Sequence, residues 1–229
     1  DRGDRLPLPK AAVHDPVFWT VLLDATEKTQ APFITRVLKS DYWDALLPDS
    51  AALLDVIGDL VARATKSNDA TIDRQLPVNF LEEIEECLGD DVDHRALTAL
   101  IREMKDRLQY FSRDHNFYWG RLGSAEVKWA TADDWSDFIK GKVTAVQQDF
   151  SSVDDVDLVR FKLVLQYYRD VISGFANREH LGPMMKRMAE RVPSIKRLIR
   201  VSNDAFNEVP LTVVSLRNVN LAMRKVIPM

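Results

Sequence analysis

Residues 152–175 read SVDDVDLVRFKLVLQYYRDVISGF, and the reading of this stretch decides the fold class. Ser152 stands three residues ahead of Asp155, an acidic form of the capping box whose side chains satisfy the free N–H groups at a helix start. Behind it, Val159, Leu163, Val164, Tyr167, Val171 and Ile172 recur at the three- and four-residue spacing of a helix face. The stretch therefore predicts a long helix from Val156 to Phe175.

The same logic carries outward in both directions. Asp15-Pro16 sets a capping carboxylate before a proline at the first helical position, predicting a helix to about Thr29 with Val17, Val21 and Leu22 toward the core. Pro32 restarts a shorter helix through Phe33, Val37 and Leu38, and Asp41 caps a further turn bearing Tyr42, Trp43 and Leu46. Asp49 or Ser50 opens a helix whose apolar face is Leu53, Leu54, Ile57, Leu60, Val61 and Ala64. After a polar stretch from Lys66 to Pro77, Val78 to Leu88 reads as a short acidic helix, and the next runs from Asp91 or Asp93 through Leu97, Leu100, Ile101, Met104, Leu108 and Phe111. Thr131 with Asp134 repeats the capping device. Pro183 and Pro193 each begin a short basic helix, and Pro210 begins a final segment read as helix, although Leu211 to Leu216 would tolerate a strand.

The expected fold is all-α, an irregular multi-helix bundle of about nine to eleven helices. Residues 1–10, with Gly3, Pro7 and Pro9, read as an extended arm, and 11–229 as a helical domain that can divide into two packed modules near 66–77. Composition agrees: 46% hydrophobic and 29% charged residues fit a globular chain, and only 8 glycines are too few for a sandwich or barrel with a turn every ten residues or so. Cys87 is the sole cysteine, so no intramolecular disulfide can form and an intracellular, reducing compartment is expected. No apolar run reaches the length of about eighteen residues that a membrane span needs. The chain opens at Asp1 rather than Met, which leaves its natural start open.

Net charge is −4, unevenly spread: residues 178–229 hold ten Lys or Arg against four Asp or Glu, a net +6, so the rest carries −10. Either the two parts neutralise each other on packing, or Lys186, Arg187, Arg191, Lys196, Arg197 and Arg200 present a patch to an acidic protein or anionic lipid. Nucleic acid is the weaker candidate, because Phe206 is the only aromatic there on which a base could stack. A second candidate surface is the aromatic group Phe117, Tyr118, Trp119, Trp129, Trp135 and Phe138, which suits either a core hinge or a docking face for partner proteins.

Chemistry has one candidate, the matching tetrapeptides Asp90-Asp91-Val92-Asp93 and Asp154-Asp155-Val156-Asp157. Clustered carboxylates can hold Mg²⁺ against a phosphorylated substrate, which makes Asp90, Asp91, Asp154 and Asp155 the ligands of an alternative, enzymatic reading. Both clusters fall where helices begin, however, and aspartates there cap N–H groups without any metal. His14, His94, His115 and His180 are too dispersed for a ligand motif, with solvated surface as their expected setting. Four glutamates around Cys87 disfavour its thiolate. No phosphate loop, dinucleotide fingerprint or nucleophile elbow occurs, so the expectation is no cofactor, no metal and no catalysis.

The segment Asp134-Trp135-Ser136-Asp137-Phe138-Ile139-Lys140-Gly141, continued through Val146 and Phe150, resembles the Asp-Trp-x-x-aromatic segment of the mitochondrial ATP synthase peripheral-stalk subunit d. That resemblance, over roughly twenty of the 229 residues, implies a matrix-side structural subunit with no active site of its own. The expectation is a structural or adaptor subunit that packs amphipathic helices against partner proteins in a larger assembly, mitochondrial or, failing that, cytoplasmic.

Overall fold

The computed structural model describes residues 5–64, 76–88, 95–111, 116–119, 127–128 and 153–202. In chain order these form β1 (Leu6–Leu8), α1 (Lys10–Val13), α2 (Pro16–Leu22), α3 (Gln30–Leu38), α4 (Asp41–Leu46), α5 (Ser50–Ala64), α6 (Leu76–Leu88), α7 (Arg95–Arg107), β2 (Leu108–Phe111), β3 (Asn116–Trp119), β4 (Val127–Lys128), α8 (Asp155–Ile172), α9 (Arg178–Leu198) and β5 (Ile199–Val201). The fold is all-α in class, with nine helices among the described residues and two small sheets beside them. It divides into two compact units, the first from Asp1–Ser40, Asp154–Leu163 and Ala176–Met229, the second from Asp41–Val153 and Val164–Phe175. The expected boundary near 66–77 is thus not where the chain divides. Long-range packing draws separate segments into each unit, which no local composition shift announces. Helix α8 belongs to the first unit up to Leu163 and to the second from Val164.

In the first unit, residues 6–8 are extended as expected but are not a loose arm. They pair in parallel with β5 in the register Leu6 to Ile199, Pro7 to Arg200 and Leu8 to Val201, and the Ser202 N–H adds a bond to the Leu8 carbonyl at 3.0 Å. Helix α2 starts where Asp15-Pro16 predicts, the Asp15 carboxylate accepting from the Val17 N–H at 2.8 Å. It buries Phe18, Trp19 and Leu22, while Val17 is 53% exposed, because in so short a helix the two large aromatics claim the core-facing side. The Trp19 indole N–H, buried with its ring, donates to the Val13 carbonyl at 2.7 Å.

Helix α2 also ends at Leu22 rather than near Thr29. The Ala25 N–H bonds to the Thr20 carbonyl and the Asp24 N–H to the Val21 carbonyl, the two bonds of a Schellman cap, with Asp24 at φ 44° in the left-handed position. Helix α9 corrects another expectation. Pro183 and Pro193 do not start helices; both lie inside one helix begun by Asn177, whose side-chain oxygen accepts from the Glu179 N–H at 2.7 Å. Each proline forfeits a backbone bond. The buried series Leu181, Met184, Met185, Met188, Val192 and Ile195 runs past both at helical spacing, and its packing outweighs that cost.

In the second unit, the carboxylate of Asp49 caps α5 by accepting from the N–H groups of Ala51 and Ala52, each at 3.0 Å. All six predicted apolar positions from Leu53 to Ala64 are buried. Helix α6 packs on α5 and α7, burying Phe80, Leu81, Ile84 and Cys87 against Leu97, Leu100, Ile101 and Met104. The helix expected through Phe111 stops at Arg107. From Leu108 the chain enters an antiparallel sheet in the order β2-β3-β4, with Leu108 opposite Trp119 and Phe111 opposite Asn116. The residues involved, such as Tyr110, Phe117, Tyr118 and Trp119, are good strand formers, and that preference overrides the helical spacing of Leu108 and Phe111.

Candidate functional site

Helix α8 makes polar contacts with distant segments in each unit, so the site is built from it. Val156, Val159, Phe161, Leu163, Val164, Leu165, Tyr167 and Tyr168 are buried on several sides of the helix, as are the charged Arg160, Lys162 and Asp170. A helix covered all round is a core element rather than a surface one.

Its acidic start lies in the first unit. Asp154 is the cap, its carboxylate accepting from the Val156 N–H at 2.8 Å and its carbonyl from the Leu158 N–H at 2.9 Å. One oxygen of Asp155, Oδ1, receives both the Lys10 ammonium at 2.9 Å and the His14 Nε2 at 3.0 Å. Burial acts to raise the Asp155 pKa, but these hydrogen bonds and the Lys10 charge outweigh it and hold the carboxyl below its ordinary value. Asp157 pairs with Lys196 of α9. There burial prevails, helped by the neighbouring Asp154 carboxylate, and the Asp157 carboxyl is raised.

An aspartate beside a histidine is half of a general-base arrangement, since the carboxylate can orient the ring. Here Lys10 shares the same oxygen, which neutralises the carboxylate and makes the pair a clamp of α1 onto α8. Among the described residues, no group of three His, Cys, Asp or Glu side chains is placed to hold a metal ion. Asp90 and Asp91, the other half of the Mg²⁺ reading, lie outside the described residues. His14, expected at a solvated surface, is instead part-buried against Asp155, while His180 is exposed, its carbonyl accepting from the Gln30 amide at 2.7 Å and its N–H donating to the Asn177 carbonyl at 3.1 Å.

The basic segment shows a similar use of charge. The Arg187 guanidinium donates to the Leu23 carbonyl at 2.6 Å and to the Gln30 side-chain oxygen at 2.8 Å. Arg191 donates to the Leu22 carbonyl at 2.6 Å and pairs with the Asp24 carboxylate at 2.8 Å. Carbonyls at the end of α2 have no partners within the helix, and the two arginines supply them while placing positive charge at the negative end of its dipole. With Lys196 on Asp157, three of the six candidate anion-binding cations work inside the unit. Lys186 and Arg197 on α9 and Arg200 on β5 remain exposed, and α9 also exposes Glu179 and Glu190, so the outward face of the helix is mixed in sign.

In the second unit the contacts of α8 are mostly aromatic. The Trp43 indole, fully buried, donates to Gln166 Oε1 at 3.1 Å, and the Gln166 amide donates to the buried Asp170 at 2.6 Å. The Tyr168 hydroxyl donates to Glu83 at 2.9 Å, with its ring 4.8 Å from Phe80, and the Arg169 guanidinium lies 4.5 Å over the ring of Tyr42. Glu85 of α6 holds Arg102 at 2.5 Å and Lys105 at 3.0 Å. Burial acts to raise its pKa, and the hydrogen bonds and charges of those two cations lower it overall.

Of the aromatic docking candidates, Phe117, Tyr118 and Trp119 form β3, while Trp129, Trp135 and Phe138 lie outside the described residues, as does the segment that resembles subunit d. Comparison of the chain with protein-family models, curated proteins and solved structures found no match. The residues that sequence reasoning passed over are Lys10, His14, Gln30, Trp43 and Gln166. Each acts through a partner more than a hundred positions away, and nothing in its own neighbourhood marks it.

Proposed function

We propose that the protein is a non-enzymatic structural or adaptor subunit that packs its helices against partner proteins in a larger assembly. The observation that carries this reading is how the charged side chains are used. Asp154 caps, Asp155 and Asp157 are clamped by cations, and Arg187 and Arg191 close a helix end, so the groups best suited to binding a cation or moving a proton serve to join helices. An outward apolar contact is also available. Phe175 is 87% exposed, yet its backbone is fixed by a bond from its N–H to the Asp170 carbonyl at 2.8 Å. The short resemblance at 134–150 makes a mitochondrial membrane complex such as ATP synthase the first assembly to test.

The test is purification of the native protein after mild crosslinking, with mass-spectrometric identification of its companions. A reproducible set in fixed proportion to the chain is expected, and Phe175→Asp should thin it without unfolding the protein. A native chain that sediments alone as a monomer, with no companion in fixed proportion, would overturn the proposal.

A further inference from the structure

We draw no further inference here: the strongest candidate, the surface patch of exposed carboxylates on α4, α5 and α6 (Asp41, Asp44, Asp55, Asp59, Glu82 and Glu86), is a set of acidic side chains with no second observation that points to a ligand or says what covers it.

Discussion

Helices α2 and α8 end in the same way with different residues. At each, the second residue past the cap donates back across the last turn, Ala25 to Thr20 at 2.9 Å and Phe175 to Asp170 at 2.8 Å, and a left-handed residue sits just before it. At the end of α8 that residue is Gly174, φ 73°, with no atom within 4 Å of where a Cβ would stand. At the end of α2 it is Asp24, φ 44°, and two arginines from a helix some 160 positions away hold it there. A left-handed backbone costs an ordinary L residue about 1–2 kcal/mol. Glycine avoids that cost locally, whereas aspartate bears it because the surrounding contacts over-determine the turn.

The contrast breaks most sharply at the clamp. Arg187→Ala or Arg191→Ala should each destabilise the protein by about 2 kcal/mol, since a charged donor is removed from part-buried carbonyls. Lysine at either position should restore less than half, lacking the planar fork that reaches two acceptors at once. Urea unfolding monitored by tryptophan fluorescence reports this directly through Trp19, fully buried in α2. An unshifted midpoint would mean that the Asp24 turn stands without the arginines.

Next in size is the exchange of the two turn residues. Gly174→Ala should cost about 1 kcal/mol, all of it backbone strain because the added methyl meets nothing. Asp24→Gly should fall within about 0.5 kcal/mol of the parent, relief of the left-handed strain offsetting loss of a partly exposed ion pair. Thermal unfolding of the two variants side by side measures the asymmetry, and equal shifts would erase it.

Acid titration extends the comparison to both units. Asp155 in the first and Glu85 in the second have lowered pKa values, so the stability each contributes is complete above the ordinary carboxylate range near pH 4 and is lost as pH falls through the lowered value. Asp157 is raised, so its contribution is complete below that range and is lost as pH rises through its folded value. Stability measured against pH should therefore fall less steeply on the acid side in Asp155→Asn and Glu85→Gln. Asp157→Asn should be best tolerated near neutrality and should steepen the acid loss, because the raised carboxyl it removes gains stability as pH falls. A profile in which it makes that loss shallower would contradict the sign. The smallest effect belongs to Phe175→Ser, which should leave the unfolding free energy unchanged within about 0.5 kcal/mol because the ring is already in solvent.

The parts of this fold that could be read in advance are those whose signal is local. Asp15-Pro16, Asp49 and the six apolar residues of α5 behave as their spacing says, because a cap acts within three residues and an amphipathic face repeats within four. At α8 the cap is Asp154, one residue before the first helical position, and the two aspartates after it take cations in place of N–H groups. The start was legible, while the division of labour among its carboxylates was not. Pro183 and Pro193 mislead because a proline is a strong local signal that a long buried face can override. The turn from α7 into β2 was hidden where aromatic residues satisfy a helical period and a strand preference together.

By itself, then, the sequence determined the helical class, the starts of α2 and α5 and the buried face of α5, each decided by residues a few positions apart. Tertiary structure alone decided where α2 stops, how α9 survives its prolines, how the chain divides into units and which charges are spent inside. Those outcomes rest on pairs such as Arg187 with Leu23, Lys10 with Asp155 and Trp43 with Gln166, whose energies arise only when remote segments meet and leave no periodicity to be read along the chain.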